Sequence, residues 1–201
     1  MKKNRHINKV AVVGSGIMGS RIACHFANIG VEVLLLDIIP FDLTEEQLKD
    51  KKLRNSIVND ALKSTLKSNP SPIYSKEFIS RITTGNLDDD LQKIGEVDWI
   101  IEVVIERLDI KKQVFEKIEK FRTKGTLISS NTSGIPIESM IDGRSDDFKA
   151  HFCGTHFFNP PRYLKLLEII PSTKTDTKVT DFLMNYGDAF LGKDMVLCKD
   201  T

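Results

Sequence analysis

"VAVVGSGIMGS", residues 10–20, decides the fold class that the sequence predicts. An apolar run leads directly into Gly14, Gly16 and Gly19, which are spaced as G-x-G-x-x-G. The next apolar run ends at Asp37, eighteen positions after the third glycine. A strand, a glycine turn that opens a helix, and a second strand that ends in an acid together predict a parallel βαβ unit for a dinucleotide.

Each glycine has its own predicted role. Gly14 allows the tight turn, Gly16 lets the backbone approach a pyrophosphate, and Gly19 lets the helix pack closely on the strand. The amides around Ile17 and Met18 lie at the helix N-terminus, where free N–H groups favour an anion. A glycine turn that serves packing alone is the alternative, and the acid that ends the next strand makes it the weaker one.

Asp37 predicts which dinucleotide binds. Its carboxylate is expected to accept hydrogen bonds from the hydroxyls of the adenosine ribose. A carboxylate also repels a 2′-phosphate, and no arginine follows Asp37. We therefore expect NAD as the cofactor, in preference to NADP.

Composition and charge are those of an ordinary globular domain. The 201 residues are 40% hydrophobic and 28% charged, which suffices for one sizeable core and a polar surface. Lys and Arg number 29 against 28 Asp and Glu, so the chain has no basic excess for nucleic acid. No apolar run approaches the roughly 20 residues of a membrane span. We expect neither nucleic acid nor a membrane as a partner.

Three widely spaced cysteines, Cys24, Cys153 and Cys198, form no C-x-x-C pair. We interpret them as reduced thiols of a cytoplasmic protein, not as a disulfide or zinc framework, and we assign no metal ligands. The basic start, residues 1–9, lacks the continuous apolar core of a signal peptide and is interpreted as a solvated leader.

The rest of the chain alternates predicted strands and helices. Apolar and β-branched runs predict strands at 9–13, 31–36, 99–104, 126–130, 156–158, 165–170 and 195–198. Helical spacing predicts helices within 14–30 and at 44 to about 68, 110–121 and 177–190. The second is longer than a usual crossover, so we expect a helical insertion at about 41–80 that projects from the sheet. This alternation predicts an α/β fold of Rossmann type, with a doubly wound, mostly parallel sheet and helices on both faces.

Polar residues follow several of these strands where a doubly wound sheet binds its ligand, beyond the carboxyl ends. The residues at these ends are Glu106, Lys111, Asn131, Ser133, His156 and Asn159. Individually they fit helix-start charges and turn or cap residues. Their shared location favours a common site.

"GTHFFNPP", residues 154–161, places His156 at the end of an apolar run. A partly buried structural histidine is the common interpretation of such a position. Glu168, however, follows twelve positions later in another apolar strand, where a carboxylate is costly to bury without a partner. If the two strands are neighbours, Glu168 orients the imidazole and stabilises its cation. His156 is then a general acid/base beside a nicotinamide.

Four stretches make the chain resemble the NAD-binding domain of the 3-hydroxyacyl-CoA dehydrogenases over nearly its whole length. They are VAVVGSGIMGSRIA at 10–23, IIEVVIERLDIKKQVF at 100–115, SSNTSGIPI at 129–137 and THFFNPPRYLKLLEII at 155–170, in the expected order and spacing. The resemblance implies His156 as the base, Glu168 as its partner and Ser133 as a hydrogen-bond donor to the substrate oxygen. The cofactor contacts that it implies come from Asp37, Glu106, Lys111, Ser133 and Asn159.

The chain departs from the family pattern in three places. "NPPRYLK" replaces the more usual Asn-Pro-Val-Pro form, and Gly134 stands where a second serine is common. The chain stops at "CKDT", where the family continues into a helical domain that closes the substrate cleft and carries the dimer contacts. We therefore expect residues 1–201 to be one NAD-binding domain from which the C-terminal helical domain is absent.

The function that the resemblance implies is the NAD-dependent oxidation of (S)-3-hydroxyacyl-CoA to 3-oxoacyl-CoA in fatty-acid β-oxidation. The full-length protein is then expected to be a homo-oligomer or part of a multifunctional β-oxidation protein. Two alternatives stay open. One is a related NAD-dependent dehydrogenase of a hydroxy acid or sugar acid, and the other is an NAD-binding module that is inactive in isolation.

Overall fold

The computed structural model describes residues 5–200. Residues 1–4 of the predicted leader therefore lie outside the described residues. The described chain forms one eight-stranded sheet in the order β3-β2-β1-β4-β5-β6-β7-β8. The strands are β1 (Lys9–Val13), β2 (Glu32–Asp37), β3 (Ile82–Asn86), β4 (Trp99–Glu102), β5 (Leu127–Ser130), β6 (Phe152–Phe157), β7 (Leu166–Pro171) and β8 (Asp194–Leu197). Only the β6–β7 pair is antiparallel within this sheet, so the prediction of a doubly wound, mostly parallel sheet is confirmed.

Helices cover both faces of the sheet. They are α1 (Ile17–Asn28), α2 (Lys51–Arg54), α3 (Ser56–Leu66), α4 (Leu108–Phe121), α5 (Ile137–Met140), α6 (Asp146–Ala150) and α7 (Thr177–Ala189). Short 3-10 helices span Gln47–Lys49, Lys76–Arg81 and Leu91–Glu96. No helix within residues 5–200 is both long enough and apolar enough to cross a bilayer.

The central strand β1 shows why helices pack on both faces of the sheet. Val10 and Val12 point to one face and pack in a core with α1, α3 and α7. Ala11 and Val13 point to the other face and pack in a second core with α4. All four side chains are fully buried, as expected for a parallel strand between two helical layers.

The insertion after β2 differs in detail from the prediction. The single helix predicted at 44 to about 68 is divided into a 3-10 turn, α2 and α3, and α2 begins afresh because Asp50 accepts a hydrogen bond from the Lys52 N–H (2.8 Å). The helix α3 packs on α1, β2 and β3 instead of projecting. Val58 and Leu62 lie four residues apart on one face and are buried in the core.

One strand was not predicted, and another is longer than predicted. The strand β3 pairs in parallel with β2, but its sequence ITTGN is polar and short, which hides it from an apolar-run analysis. The strand that carries His156 begins at Phe152, four residues earlier than predicted. The cores of the remaining predicted strands and helices match the structure within a few residues.

Two features of the topology position the site. The order of the strands reverses beside β1, whose neighbours are β2 and β4, and this arrangement opens a crevice at the carboxyl ends of the strands. The antiparallel register of β6 and β7 sets His156 directly opposite Glu168.

Candidate active site

The glycine turn combines tight packing with an open backbone. A Cβ atom on Gly14 would lie 2.6 Å from the carbonyl oxygen of Val103, and Gly14 itself has a φ of +103°. A Cβ on Gly19 would lie 1.8 Å from the Gly14 oxygen, whereas one on Gly16 would meet nothing within 4 Å. Gly14 and Gly19 are therefore required by packing, and Gly16 leaves the backbone open to a ligand.

The N-terminus of α1 is available to an anion. Gly16 is its N-cap and supplies no side-chain hydrogen bond. The first amides of a helix have no partner inside the helix, and the helix dipole makes this end positive. Ile17 and Met18 begin the helix at this point, as the prediction of a pyrophosphate site requires.

Asp37 is held beside the glycine turn by its neighbour in space, Ser15. The Asp37 Oδ2 atom accepts hydrogen bonds from the Ser15 N–H (2.6 Å) and the Ser15 hydroxyl (2.5 Å), and Oδ1 accepts one from the Ile38 N–H (2.7 Å). Ser15 was not predicted as a site residue, although its place between the first two glycines was a usable signal.

A cleft of about 600 Å³ runs along the turn. Gly14, Gly16 and Asp37 line it together with two exposed apolar side chains, Phe41 and Ile105. Phe41 is 92% exposed and Ile105 is 65% exposed. Large apolar side chains beside Asp37 suit the faces of a purine, and their apolar type at loop positions was the signal that sequence reasoning missed.

Lys111 is buried below this edge of the sheet. Its Nζ atom lies 2.8 Å from Glu102 Oε1 and 3.2 Å from Glu106 Oε2. Glu102 is fully buried at the end of β4, and burial raises the pKa of its carboxyl group, against the charge of Lys111 and the hydrogen bonds to this carboxylate. Glu102 was not predicted. The structure places Lys111 where it supports Glu106, and a direct contact with the cofactor stays a prediction.

Glu106 joins the ends of β4 and β5. Its Oε1 atom accepts hydrogen bonds from the Thr132 hydroxyl (2.5 Å) and from the N–H groups of Ser133 (3.0 Å) and Gly134 (3.3 Å). Burial acts to raise the pKa of Glu106, but these bonds and the charge of Lys111 outweigh it, and the pKa is lowered. Glu106 is therefore ionised at neutral pH. Ser133 is exposed and uses its backbone here, which leaves its hydroxyl for another partner.

Asn131 lies at the end of β5 but ties two strands together. Its Oδ1 atom accepts a hydrogen bond from the Phe157 N–H (2.9 Å) on β6. Asn131, which the sequence predicted as a residue of the common site, thus fixes the strand that carries His156.

His156 and Glu168 form the pair that the sequence predicted as possible. The Nδ1 atom of His156 lies 2.8 Å from Glu168 Oε2, and both side chains are part-buried. The Phe158 ring packs on the imidazole with its centroid 4.4 Å away. A carboxylate at Nδ1 and a ring on one face fix the orientation of the imidazole and leave Nε2 as the nitrogen that faces away from the pair.

Cys198 lies beside the same carboxylate. Its backbone N–H donates to the Ile169 oxygen (2.8 Å), which holds residue 198 beside Glu168. Burial raises the pKa of the Cys198 thiol, and the charge of Glu168 and a hydrogen bond to it raise the pKa further. No local pattern in the sequence predicts this contact, because it depends on the pairing of β8 with β7.

Asn159 follows His156 by three residues and meets the helix α1. Its Oδ1 atom accepts a hydrogen bond from an Nη1 group of Arg21. Arg21 was not predicted as a site residue. The contact brings Asn159 to the helix whose N-terminus carries the glycine turn.

The fold and the site define a dinucleotide-binding domain of Rossmann type. The sequence profile of the family described as "3-hydroxyacyl-CoA dehydrogenase, NAD binding domain" matches residues 9–201. The chain belongs to this family, and the residues that fit NAD are those of the open glycine turn, Asp37 and the cleft beside them.

Known proteins similar to the chain are longer than it. The "Probable 3-hydroxyacyl-CoA dehydrogenase" of Bacillus subtilis (strain 168) is 53% identical over 204 residues, which cover 98% of this chain and 26% of that protein. A relative from Rickettsia felis, provisionally named a fatty acid oxidation complex trifunctional enzyme, is 40% identical over 97% of this chain and 26% of its own length. The chain thus spans about a quarter of these two relatives.

The solved structures include a similar fold. The crystal structure of 3-hydroxybutyryl-CoA dehydrogenase from Escherichia coli K12 matches with a TM-score of 0.74 and 28% identity. The match covers 98% of this chain and 39% of that one.

Proposed function

We propose that the protein oxidises (S)-3-hydroxyacyl-CoA to 3-oxoacyl-CoA with NAD, in the breakdown of fatty acids. The observation that carries this proposal is the His156–Glu168 pair, 2.8 Å apart, at the same edge of the sheet as the NAD cleft. The names of the relatives support the choice of a hydroxyacyl thioester among the alcohols that such a pair could oxidise.

The catalytic step needs a base and an orienting acid. His156 takes the hydroxyl proton of the substrate at Nε2, and Glu168 holds the ring through Nδ1 and stabilises the imidazolium that results. A base of this kind contributes about 10²–10⁴-fold to the rate. The chemistry that NAD supplies when bound is the acceptance of a hydride, here from C3 of the hydroxyacyl group.

The remaining residues bind and orient. The amides around Ile17 and Met18 hold the pyrophosphate at the start of α1. Asp37 binds the adenosine ribose, and the ionised Glu106, supported by Lys111, faces the ribose on the nicotinamide side. The Ser133 hydroxyl donates a hydrogen bond to the substrate oxygen, which keeps that oxygen close to His156.

We further propose that residues 1–201 act as one NAD-binding domain within a longer protein. A second, helical domain completes the substrate cleft and the contacts of a homo-oligomer, and the multifunctional relative supports a place in a larger β-oxidation protein. The unpaired thiols of Cys24, Cys153 and Cys198 support work in a reducing, cytoplasmic compartment.

The experiment is an assay of NADH formation from NAD and (S)-3-hydroxybutyryl-CoA, with the whole protein and with residues 1–201 alone. We expect turnover by the whole protein. The isolated chain should bind NAD and turn over poorly or not at all. Turnover of free hydroxy acids in place of the thioester would overturn the proposed substrate class, and equal activity of the two proteins would overturn the need for a second domain.

A further inference from the structure

The loop between β6 and β7, residues 158–165, connects the two halves of the catalytic pair. It begins two residues after His156, ends three residues before Glu168, and carries Asn159. Its sequence NPPRYLK is one of the stretches that depart from the family pattern. The position of this loop therefore sets the position of Asn159.

Lys193 is a buried lysine that reaches into this loop. It lies in the turn between α7 and β8 and is only 3% exposed. Its ammonium donates hydrogen bonds to the carbonyl oxygens of Pro161 and Leu164, the second at 2.7 Å. The ring of Phe157 has its centroid 6.0 Å from the same nitrogen. Both hydrogen-bonded partners are backbone carbonyls, so the ammonium clamps the loop onto itself.

A buried ammonium is a costly way to fill this space. Removing it from water disfavours the charged form, and burial lowers the pKa of Lys193 to about 8. An apolar side chain of the same length would avoid that cost. The cost is consistent with a requirement to hold the two carbonyls.

We propose that Lys193 is a positioning residue, which clamps the Pro161 and Leu164 carbonyls and thereby sets Asn159 against the nicotinamide end of NAD. The proposal rests on the function proposed above. Lys193 does not touch the reacting atoms, and it acts through the loop alone.

Other contacts of the loop are weaker anchors. Arg21 bonds the Asn159 side chain, and Arg162 donates to the Ser71 oxygen (2.6 Å), both in exposed surroundings. Arg162 also donates to the Ile73 oxygen (3.1 Å), where the surroundings are part-buried. Water replaces an exposed hydrogen bond at little net cost, whereas a buried carbonyl that loses its donor has no such replacement. Lys193 is the most deeply buried of these three side chains, so its hydrogen bonds are the ones that water replaces least well.

The order of the strands indicates which end of NAD is affected by loss of the Lys193 clamp. Asn159 follows β6, whereas Asp37 ends β2, four positions away in the sheet order. In the proposed binding mode, Asp37 and the glycine turn hold the adenosine and pyrophosphate, and Asn159 meets α1 at Arg21, one turn beyond the first amides of that helix. Loss of the clamp should weaken the hold on the nicotinamide end and leave the ADP-ribose end unchanged.

The experiment compares NAD with ADP-ribose, which lacks the nicotinamide, in calorimetric titrations of the whole protein. In Lys193→Met we expect the dissociation constant of NAD to rise about tenfold and kcat to fall about tenfold or more, since a small displacement of a positioning group costs up to about a hundredfold. The ADP-ribose constant should change less than about twofold. Lys165→Met, on the exposed part of the same loop, is the control and should match the wild type.

A second measurement needs no variant. In the wild type, the ratio of the NAD and ADP-ribose affinities should fall as the pH rises through 8, because the Lys193 amine then loses its charge. The other charged or titratable groups beside this cluster are His25 on α1, whose pKa is lowered to about 4, and Arg162 on the loop.

The outcomes separate this proposal from the proposed function. A constant affinity ratio, in Lys193→Met or across pH 8, overturns the role of Lys193. Equal losses for NAD and ADP-ribose overturn it too, because they indicate general damage to the fold. Wild-type protein that binds NAD but oxidises no hydroxyacyl-CoA overturns the proposed function, and the ligand comparison still tests Lys193.

Discussion

His156 and Glu168 face each other across the only antiparallel pair of the described sheet, with Nδ1 2.8 Å from Oε2. The carboxylate accepts a hydrogen bond from Nδ1–H, so the neutral ring presents its lone pair at Nε2. The two residues lie on the neighbouring strands β6 and β7. They occupy directly opposed positions, so their side chains point to the same face of the sheet. From this contact we predict how substitution of His156 or Glu168 changes the catalytic rate.

His156→Gln should leave the fold and NAD binding intact and lower kcat by orders of magnitude, because glutamine forms hydrogen bonds but takes no proton. Thermal unfolding and kcat measured on the same preparation check this. A fall in the melting temperature with an unchanged kcat would identify His156 as a structural residue instead.

Glu168→Gln, and the double variant with His156→Gln, test whether the two residues work as a unit. Glu168→Gln alone should lower kcat, since the imidazolium loses its counter-charge. The double variant should be little worse than His156→Gln, because the function of the pair is lost only once. Losses that multiply would mean that the two side chains act independently.

Asp37→Ala should reduce the preference of the protein for NAD over NADP. The carboxylate lies beside the glycine turn, bonded to Ser15, where a ribose hydroxyl or a 2′-phosphate would meet it. Titration of both cofactors measures the change. Wild-type protein that binds the two with equal affinity would remove the ribose assignment, and Asp42→Ala on the exposed loop that follows is the control.

The sequence predicted the parts of this molecule that depend on local pattern. The turn at Gly14, Gly16 and Gly19 and the acid Asp37 follow from spacing alone. The contact between His156 and Glu168 needed one further fact, the pairing of β6 with β7, which no local pattern contains. Neighbouring strands in an α/β sheet are set by tertiary packing, and hence Cys198 beside Glu168 was not foreseen.

The buried groups were missed for a different reason. Glu102 and Lys193 are charged residues in stretches that sequence patterns assign to a strand end and a turn. Charged residues are mostly exposed, so their burial follows only from partners distant in the sequence. The same holds for α3: the length of the predicted helix suggested projection, although Val58 and Leu62 are buried on one of its faces.

Lys111→Met should destabilise the fold strongly, by about 3–5 kcal/mol, because it leaves the buried carboxylate of Glu102 without its ammonium. Urea unfolding of the chain measures the change. Addition of Glu102→Gln should restore much of the loss, since the uncompensated charge is then gone. A Lys111→Met variant as stable as the wild type would show that the buried pair contributes little.

His25 predicts how stability depends on pH. It is 5% exposed, its Nε2 bonds to the Leu191 oxygen (3.1 Å), and burial, with the charge of Lys193, lowers its pKa from 6.5 to about 4. Between these two values the unfolded chain binds a proton that the folded chain does not. Stability is therefore lost as the pH falls from 6.5 towards 4, by about 3 kcal/mol from this group.

The measurement is urea unfolding at a series of pH values, for wild type and His25→Gln. The variant should lose less stability than the wild type over this window. His6→Gln, at an exposed position, should follow the wild type. Parallel curves for wild type and His25→Gln would contradict the lowered pKa.

The reactivity of the Cys198 thiol should depend on the charge of Glu168, the carboxylate beside His156. Burial and the charge of Glu168 raise the pKa of its thiol, while burial alone raises the pKa values of Cys24 and Cys153 to about 12. Iodoacetamide at pH 8 should therefore modify Cys198 selectively and slowly, because the thiolate is the reactive form. In Glu168→Gln the negative charge is gone, the thiol pKa falls towards its ordinary value, and modification should become several-fold faster.

Peptide mass spectrometry over a time course gives the rate at each cysteine. Glu116→Gln, on the exposed face of α4, is the control and should leave the rate at Cys198 unchanged. An unchanged rate in Glu168→Gln would mean that the thiol does not sense the carboxylate. A faster rate would place β8 beside the catalytic pair in solution, since the thiol reaches Glu168 only when β8 pairs with β7 in the register Glu168 to Val196.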